Sequence, residues 1–112
     1  MKKIFYKTVK VTVNDITYLD KCFFIDYYIL KSKKSTEENG LKKSYGIGVV
    51  KHYTDYFEND IVQEARVCDI TEIEEEIHIF AEILAKNNIA PDKLKNFSDD
   101  YFADDSFEES AV

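Results

Sequence analysis

Residues 22–30 read CFFIDYYIL, and this run is apolar on both parities of an extended strand. Phe23, Ile25, Tyr27 and Ile29 fall on one face; Cys22, Phe24, Tyr28 and Leu30 fall on the other. Side chains alternate across a strand, so a strand of this kind needs cover on both sides. It belongs to a longer extended segment, Ile16 to Leu30, that follows a tight turn at Asn14-Asp15. Before the turn, Phe5, Val9, Val11 and Val13 alternate with Lys10 and Thr12, the mark of a half-buried first strand. After it, KSKKSTEENGLKK (31–43) is polar, lacks aromatics and reads as an exposed loop ending near Asn39-Gly40. SYGIGVVKHY follows as a third strand, with Tyr45, Ile47 and Val49 facing one way. Gly46 and Gly48 lie opposite, leaving room for close packing or a bulge. Tyr56–Asp60 reads as a turn, and IVQEARVCD as a fourth strand with weaker alternation.

Near residue 70 the period changes from two to 3.6. Ile73, Ile77, Phe80, Ala81 and Leu84 form one helical stripe, widened by Ile79 and Ile83. Thr71-x-x-Glu74 has the spacing of a capping box, and Glu72, Glu74, Glu75 and Glu76 complement the positive end of the helix dipole. Asn87-Asn88 suits a left-handed helix end with Ile89 folding back, and Pro91 suits the first position of a second helix. Leu94, Phe97 and Tyr101 give that helix its buried stripe. Four strands followed by two helices predict an α+β fold: a four-stranded antiparallel, meander-like sheet with both C-terminal helices packed on one face. At 112 residues the chain suffices for one domain. Residues 1–102 are expected to form it, and 103–112 an acidic flexible tail.

Two helices cover only one face of a four-stranded sheet. Eleven of the sixteen aromatics lie between Phe5 and Phe57, on both parities. The second face is therefore expected to be an apolar patch used for association, most simply as a homodimer. The competing expectation is that tyrosine hydroxyls and lysine stems leave that face wet. The residues expected to meet a partner are Phe24, Tyr28 and Tyr45 on the sheet, with Tyr101, Phe102 and Phe107 near the C-terminus.

No constellation carries clear chemistry. Glu74, His78 and Glu82 follow at i, i+4 and i+8, and Glu75 adds a Glu-x-x-His pair, but the helical wheel puts all four opposite Ile77 and Phe80. One copy outside a four-helix bundle reads as a solvated face rather than a metal site. His52, in KHYTDY beside Asp55, has the chemistry of a base near an acid, yet reads more simply as a strand-end residue. Cys22 and Cys68 have no paired spacing and read as two buried free thiols. Gly46-x-Gly48 lacks a third glycine and opens no helix, so it is no dinucleotide fingerprint. No catalytic residue, cofactor or metal ligand is assigned.

Charge is polarised along the chain. The net charge is −7, but residues 1–43 hold ten lysines and five acids, whereas 99–112 hold six acids and no base. A pI near 4.8, a single arginine and a sheet order unlike an RNA-recognition motif disfavour nucleic acid as a partner. An acidic nucleic-acid mimic rests on charge alone. The segment DDYFADDSFEES suits a short acidic–aromatic docking motif, or a fraying helix end and solubilising tail. MKKIFYKTVKV is interrupted by Lys7 and Lys10 and lacks a cleavage site, and no run is long enough to span a membrane, so a cytoplasmic setting is expected.

Tyr45-Gly46-Ile47, Asp69-Ile70-Thr71, the run Asn87-Asn88-Ile89-Ala90-Pro91-Asp92-Lys93-Leu94 and Asp99-Asp100-Tyr101 together carry a resemblance. Over about residues 44–102 the chain resembles a family of small uncharacterised proteins of Firmicutes, especially clostridia, classed as a domain of unknown function. That family often has His where this chain has Lys93 and Asp where it has Asn96, so no role transfers to those positions. The resemblance implies a cytosolic bacterial setting, and no activity or catalytic residue is carried over from it. The function expected is a non-enzymatic protein-interaction or regulatory module that self-associates through its aromatic sheet face. The alternative is a small enzyme or ligand-binding protein with a pocket between sheet and helix near His52.

Overall fold

The computed structural model describes the backbone of residues 1–14, 20–36, 40–54 and 59–110, and the side chains of 1–12, 22–33, 42–54 and 59–102. Four strands, β1 (Lys2–Asn14), β2 (Asp20–Thr36), β3 (Gly40–Thr54) and β4 (Asp60–Thr71), are followed by helices α1 (Glu74–Lys86) and α2 (Pro91–Ser110). Every neighbouring pair is antiparallel and the sheet order is β1-β2-β3-β4, the expected α+β meander. Asn14 pairs with Asp20; residues 15–19 and 55–58, on which the turns expected at Asn14-Asp15 and Tyr56–Asp60 largely fall, lie outside the described backbone.

One face of the sheet carries the core. Ile25, Tyr27 and Ile29 of β2 and Tyr45, Ile47 and Val49 of β3 pack with Ile77, Phe80, Ala81, Leu84 and Ala85 of α1 and Leu94 of α2, all buried. Ile73 does not hold α1 to the sheet as its spacing predicts. It is the helix N-cap in an extended conformation and is 54% exposed, and Ile79 too is exposed, because the sheet meets a narrower stripe than the sequence offers. The capping box does not form either. The Thr71 hydroxyl accepts from the Ile73 N–H at 3.1 Å and donates to Glu76 at 2.7 Å, so Thr71 stabilises the approach to the helix from two residues upstream of the cap. At the other end, Asn88 sits at φ 51°, and the N–H groups of Asn88 and Ile89 donate to the carbonyls of Ala85 and Leu84. This is a Schellman ending. It returns Ile89 to the core, where its carbonyl accepts from the buried Tyr27 hydroxyl at 2.9 Å.

The predicted 31–43 loop is mostly strand. Lys31–Thr36 pairs with Gly40–Tyr45, while β1 reaches only Lys31 and β4 only Tyr45, so residues 32–36 and 40–44 form a two-stranded ribbon beyond both flanking strands. Lys33, Lys42 and Lys43 are exposed and none of the ribbon's described residues joins the core cluster, so these positions need no apolar alternation, and the signal by which strands are recognised is missing. Opposite Gly46, β4 bulges. Tyr45 pairs with Thr71 and Ile47 with Val67, which sets Cys68, Asp69 and Ile70 against one glycine. Asp69 takes a left-handed φ of 56° there, and a Cβ on Gly46 would run into the Val67 carbonyl.

Candidate functional site

The face of the sheet that the helices leave uncovered is the candidate site. The molecule measures 19 Å along its shortest axis, the thickness of one sheet and one helical layer. The register arranges the uncovered face in rows across the strands: Lys10, Phe24, His52, Val62; then Thr8, Asp26, Val50, Glu64; then Phe5, Tyr28, Gly48, Arg66; then Lys3, Leu30, Gly46. Phe5 and Val62 are each 57% exposed and Phe24 is 44% exposed. Leu30 and Val50, at 4% and 7%, are buried on this side, apart from the helix-covered core. Because Gly48 carries no side chain, its row opens into a depression of about 210 Å3 bordered by Lys3, Leu30, Val50, Glu64 and Arg66.

Polar contacts organise the middle of the face. Thr8 donates to Asp26 Oδ1 at 2.5 Å, and His52 Nε2 lies 2.9 Å from Asp26 Oδ2, a line that ties β1, β2 and β3. In nucleophilic triads the imidazole stands between hydroxyl and carboxylate. Here the carboxylate stands in the middle, so Thr8 is not activated by His52, and the arrangement is suited to locking strand register. Lys3 caps the Tyr28 ring at 4.1 Å, and Phe5 meets Tyr28 edge-on at 5.7 Å. Burial, then the nearby Asp26 charge, pushes the Tyr28 hydroxyl pKa upward.

The residues expected to meet a partner divide four ways. Phe24 and Tyr28 lie on the uncovered face. Tyr45 does not: it is 4% exposed in the helix-covered core, as the parity it shares with Ile47 requires. Tyr101 and Phe102 sit about Phe80, each with ring centroids 5.0 Å away, and so help hold α2 to α1. Phe107 lies outside the described side chains. His52 projects to the uncovered side through its Asp26 contact, and not into a pocket between sheet and helix. Both cysteines are exposed, not buried: Cys22 lies beside Thr12 at 3.7 Å, and Cys68 lies in the β4 bulge. Asp26 and Thr8 were not apparent as a pair, though a lone acid inside CFFIDYYIL is the signal that points to one of them.

On the helical side, Glu82 accepts from Tyr6 at 2.7 Å and from Lys7 at 3.3 Å. The Tyr6 hydrogen bond, then that of Lys7, holds the Glu82 carboxyl below its usual pKa. His78 is exposed, 3.9 Å from Glu74 and against the Tyr6 ring. Glu82 is thus directed to β1 rather than to His78, and no group of three metal-binding side chains occurs among the described residues. No helix among them is long and apolar enough to cross a membrane.

Residues 3–104 match the model of a family of unknown function, DUF6514. The chain belongs to that family. The match takes in the two N-terminal strands as well as the C-terminal half, so the open face described above is part of the family domain. No curated protein and no solved structure matches the chain.

Proposed function

We propose that this chain is a non-enzymatic interaction module that self-associates through its uncovered sheet face, in a bacterial cytoplasm. The carrying observation is the exposure of Phe5, Phe24 and Val62 on the one sheet face that no helix covers. A second copy of the same face is the occupant that fits. A two-fold axis along the strands sets β1 of one copy against β4 of the other, which brings Lys10 toward Glu64 of the second copy at the rim of the apolar centre, with Arg66 one row beyond. The lysine-biased composition and the clostridial resemblance support the bacterial setting.

Sedimentation velocity at tens of micromolar tests the reading. At high salt, where ionic contacts are screened, the native chain should sediment as a dimer, and Phe24→Glu, which places a charge on an exposed strand position without touching the core, should sediment as a monomer. A native chain that remains monomeric overturns it.

A further inference from the structure

The fold collects positive charge that the sequence scatters. Lys2 pairs with Lys31, Lys33 with Lys43 and Lys34 with Lys42, and Lys3 pairs with Leu30 beside them. Lys2, Lys31, Lys33 and Lys43 thus share one face of the β2–β3 ribbon and the start of β1, while Lys3, Lys34 and Lys42 hold positions of the opposite parity. Met1, Lys2, Lys31 and Lys33 line an open depression of about 480 Å3 there. Lys42 is paired with Glu72. Lys2, Lys31, Lys33 and Lys43 have no carboxylate partner among the described residues. Lysines do blunt exposed strand edges, but that role does not require them on both strands of the ribbon and on β1 as well.

A second element presents the opposite charge. The distal part of α2 carries Asp99, Asp100, Asp104, Asp105, Glu108 and Glu109, with no basic residue in its last turn. Carboxylates at a helix C-terminus face the negative end of the macrodipole, so this helix end is unfavourable by itself and is stabilised by any cation that docks on it. The identity of the partner follows from range. Fields of exposed charges fade over about 8 Å at physiological ionic strength. A short acidic segment docked on the ribbon feels chiefly its lysines, whereas a long nucleic acid also meets the acidic remainder of a chain of net charge −7.

We infer that the lysine ribbon is a second interaction surface, whose partner is the acidic distal half of α2 from another copy of this chain. This contact is ionic and separate from the sheet-face contact, and it joins two different surfaces rather than one surface to itself.

The test uses full-length chains in the Phe24→Glu background as well as in the native one, so that loss of the sheet-face contact is read separately. Association is followed by sedimentation velocity at about 20 mM and about 500 mM salt, with circular dichroism confirming folding. The Phe24→Glu chain should still associate at low salt and lose about tenfold or more in affinity at high salt. In the Phe24→Glu background, Lys31→Glu/Lys33→Glu/Lys43→Glu and Asp99→Lys/Asp100→Lys/Asp104→Lys should each abolish self-association, whereas in the native background the sheet-face dimer should remain. Mixing these two variants should restore it, because one retains the acidic helix and the other the basic ribbon. In the Phe24→Glu background, salt-insensitive association, no association at low salt, or no recovery on mixing overturns the inference; the last is the result expected if ribbon and helix meet only within one chain.

Discussion

The two faces of this sheet are built from the same strands and differ only in parity, yet they obey different rules. On the helix-covered side, Ile25, Tyr27, Ile47 and Val49 are fully buried in one continuous core. One residue along the same strands, Phe24 is 44% exposed, Asp26 bonds to Thr8 and His52, and Gly48 leaves a gap. Helix cover thus separates the face that carries the main core from the face left open. Apolar content does not, since aromatics occur on both.

The strongest way to break this comparison is to truncate matched aromatics on each side. Phe80→Ala removes a fully buried ring that Phe97, Tyr101 and Phe102 surround. It should cost about 3–5 kcal/mol in chemical denaturation. Phe24→Ala, on the exposed face, should cost under about 0.5 kcal/mol in the monomer; a cost comparable to that of Phe80→Ala would show that the open face is part of the core. The two glycines offer a sharper contrast. Gly46→Ala drives a methyl into the Val67 carbonyl and should destabilise by about 1–3 kcal/mol. Gly48→Ala meets Leu30 and Tyr28 only at ordinary contact distances of 3.6–3.9 Å, so its melting temperature should hold or rise.

Smaller again is Tyr27→Phe, which deletes the hydrogen bond to the Ile89 carbonyl and should cost about 0.5–1.5 kcal/mol in the same denaturation assay. The gentlest test is of Glu82. Its folded pKa is depressed, so its contribution to stability is fully present above the ordinary glutamate pKa and is lost as pH falls through the lowered folded value. Tyr6→Phe removes the largest cause, and the Glu82 carboxyl titration followed by NMR should move up toward the ordinary range.

Much of the covered side was legible in the sequence, because burial on one face writes itself as period two in β2 and β3 and as a stripe in α1. The helix end was legible for a local reason: Asn87-Asn88-Ile89 supplies both the left-handed residue and the returning apolar one. The open side was harder to read. Neither cysteine could be placed by its apolar neighbours, because Cys22 falls on the uncovered parity and the bulge at Cys68–Ile70 breaks the alternation of β4. Tyr45 was offered to a partner by its aromatic character, when its parity already committed it to the core. The Thr8–Asp26–His52 line joins three strands, and register, which residue pattern alone leaves open, decides that these three side chains meet.

The projecting ribbon has a consequence for how related chains are able to vary. None of its described residues belongs to the core cluster, so its length is decoupled from the stability of the domain. Its growth is nonetheless quantised. A residue gained on one strand without a counterpart on the other would slip the register and turn every ribbon side chain beyond it to the opposite face. Reach should therefore change by one residue on each strand at a time, about 3.4 Å per step, and members of the family should differ in this hairpin by even numbers of residues.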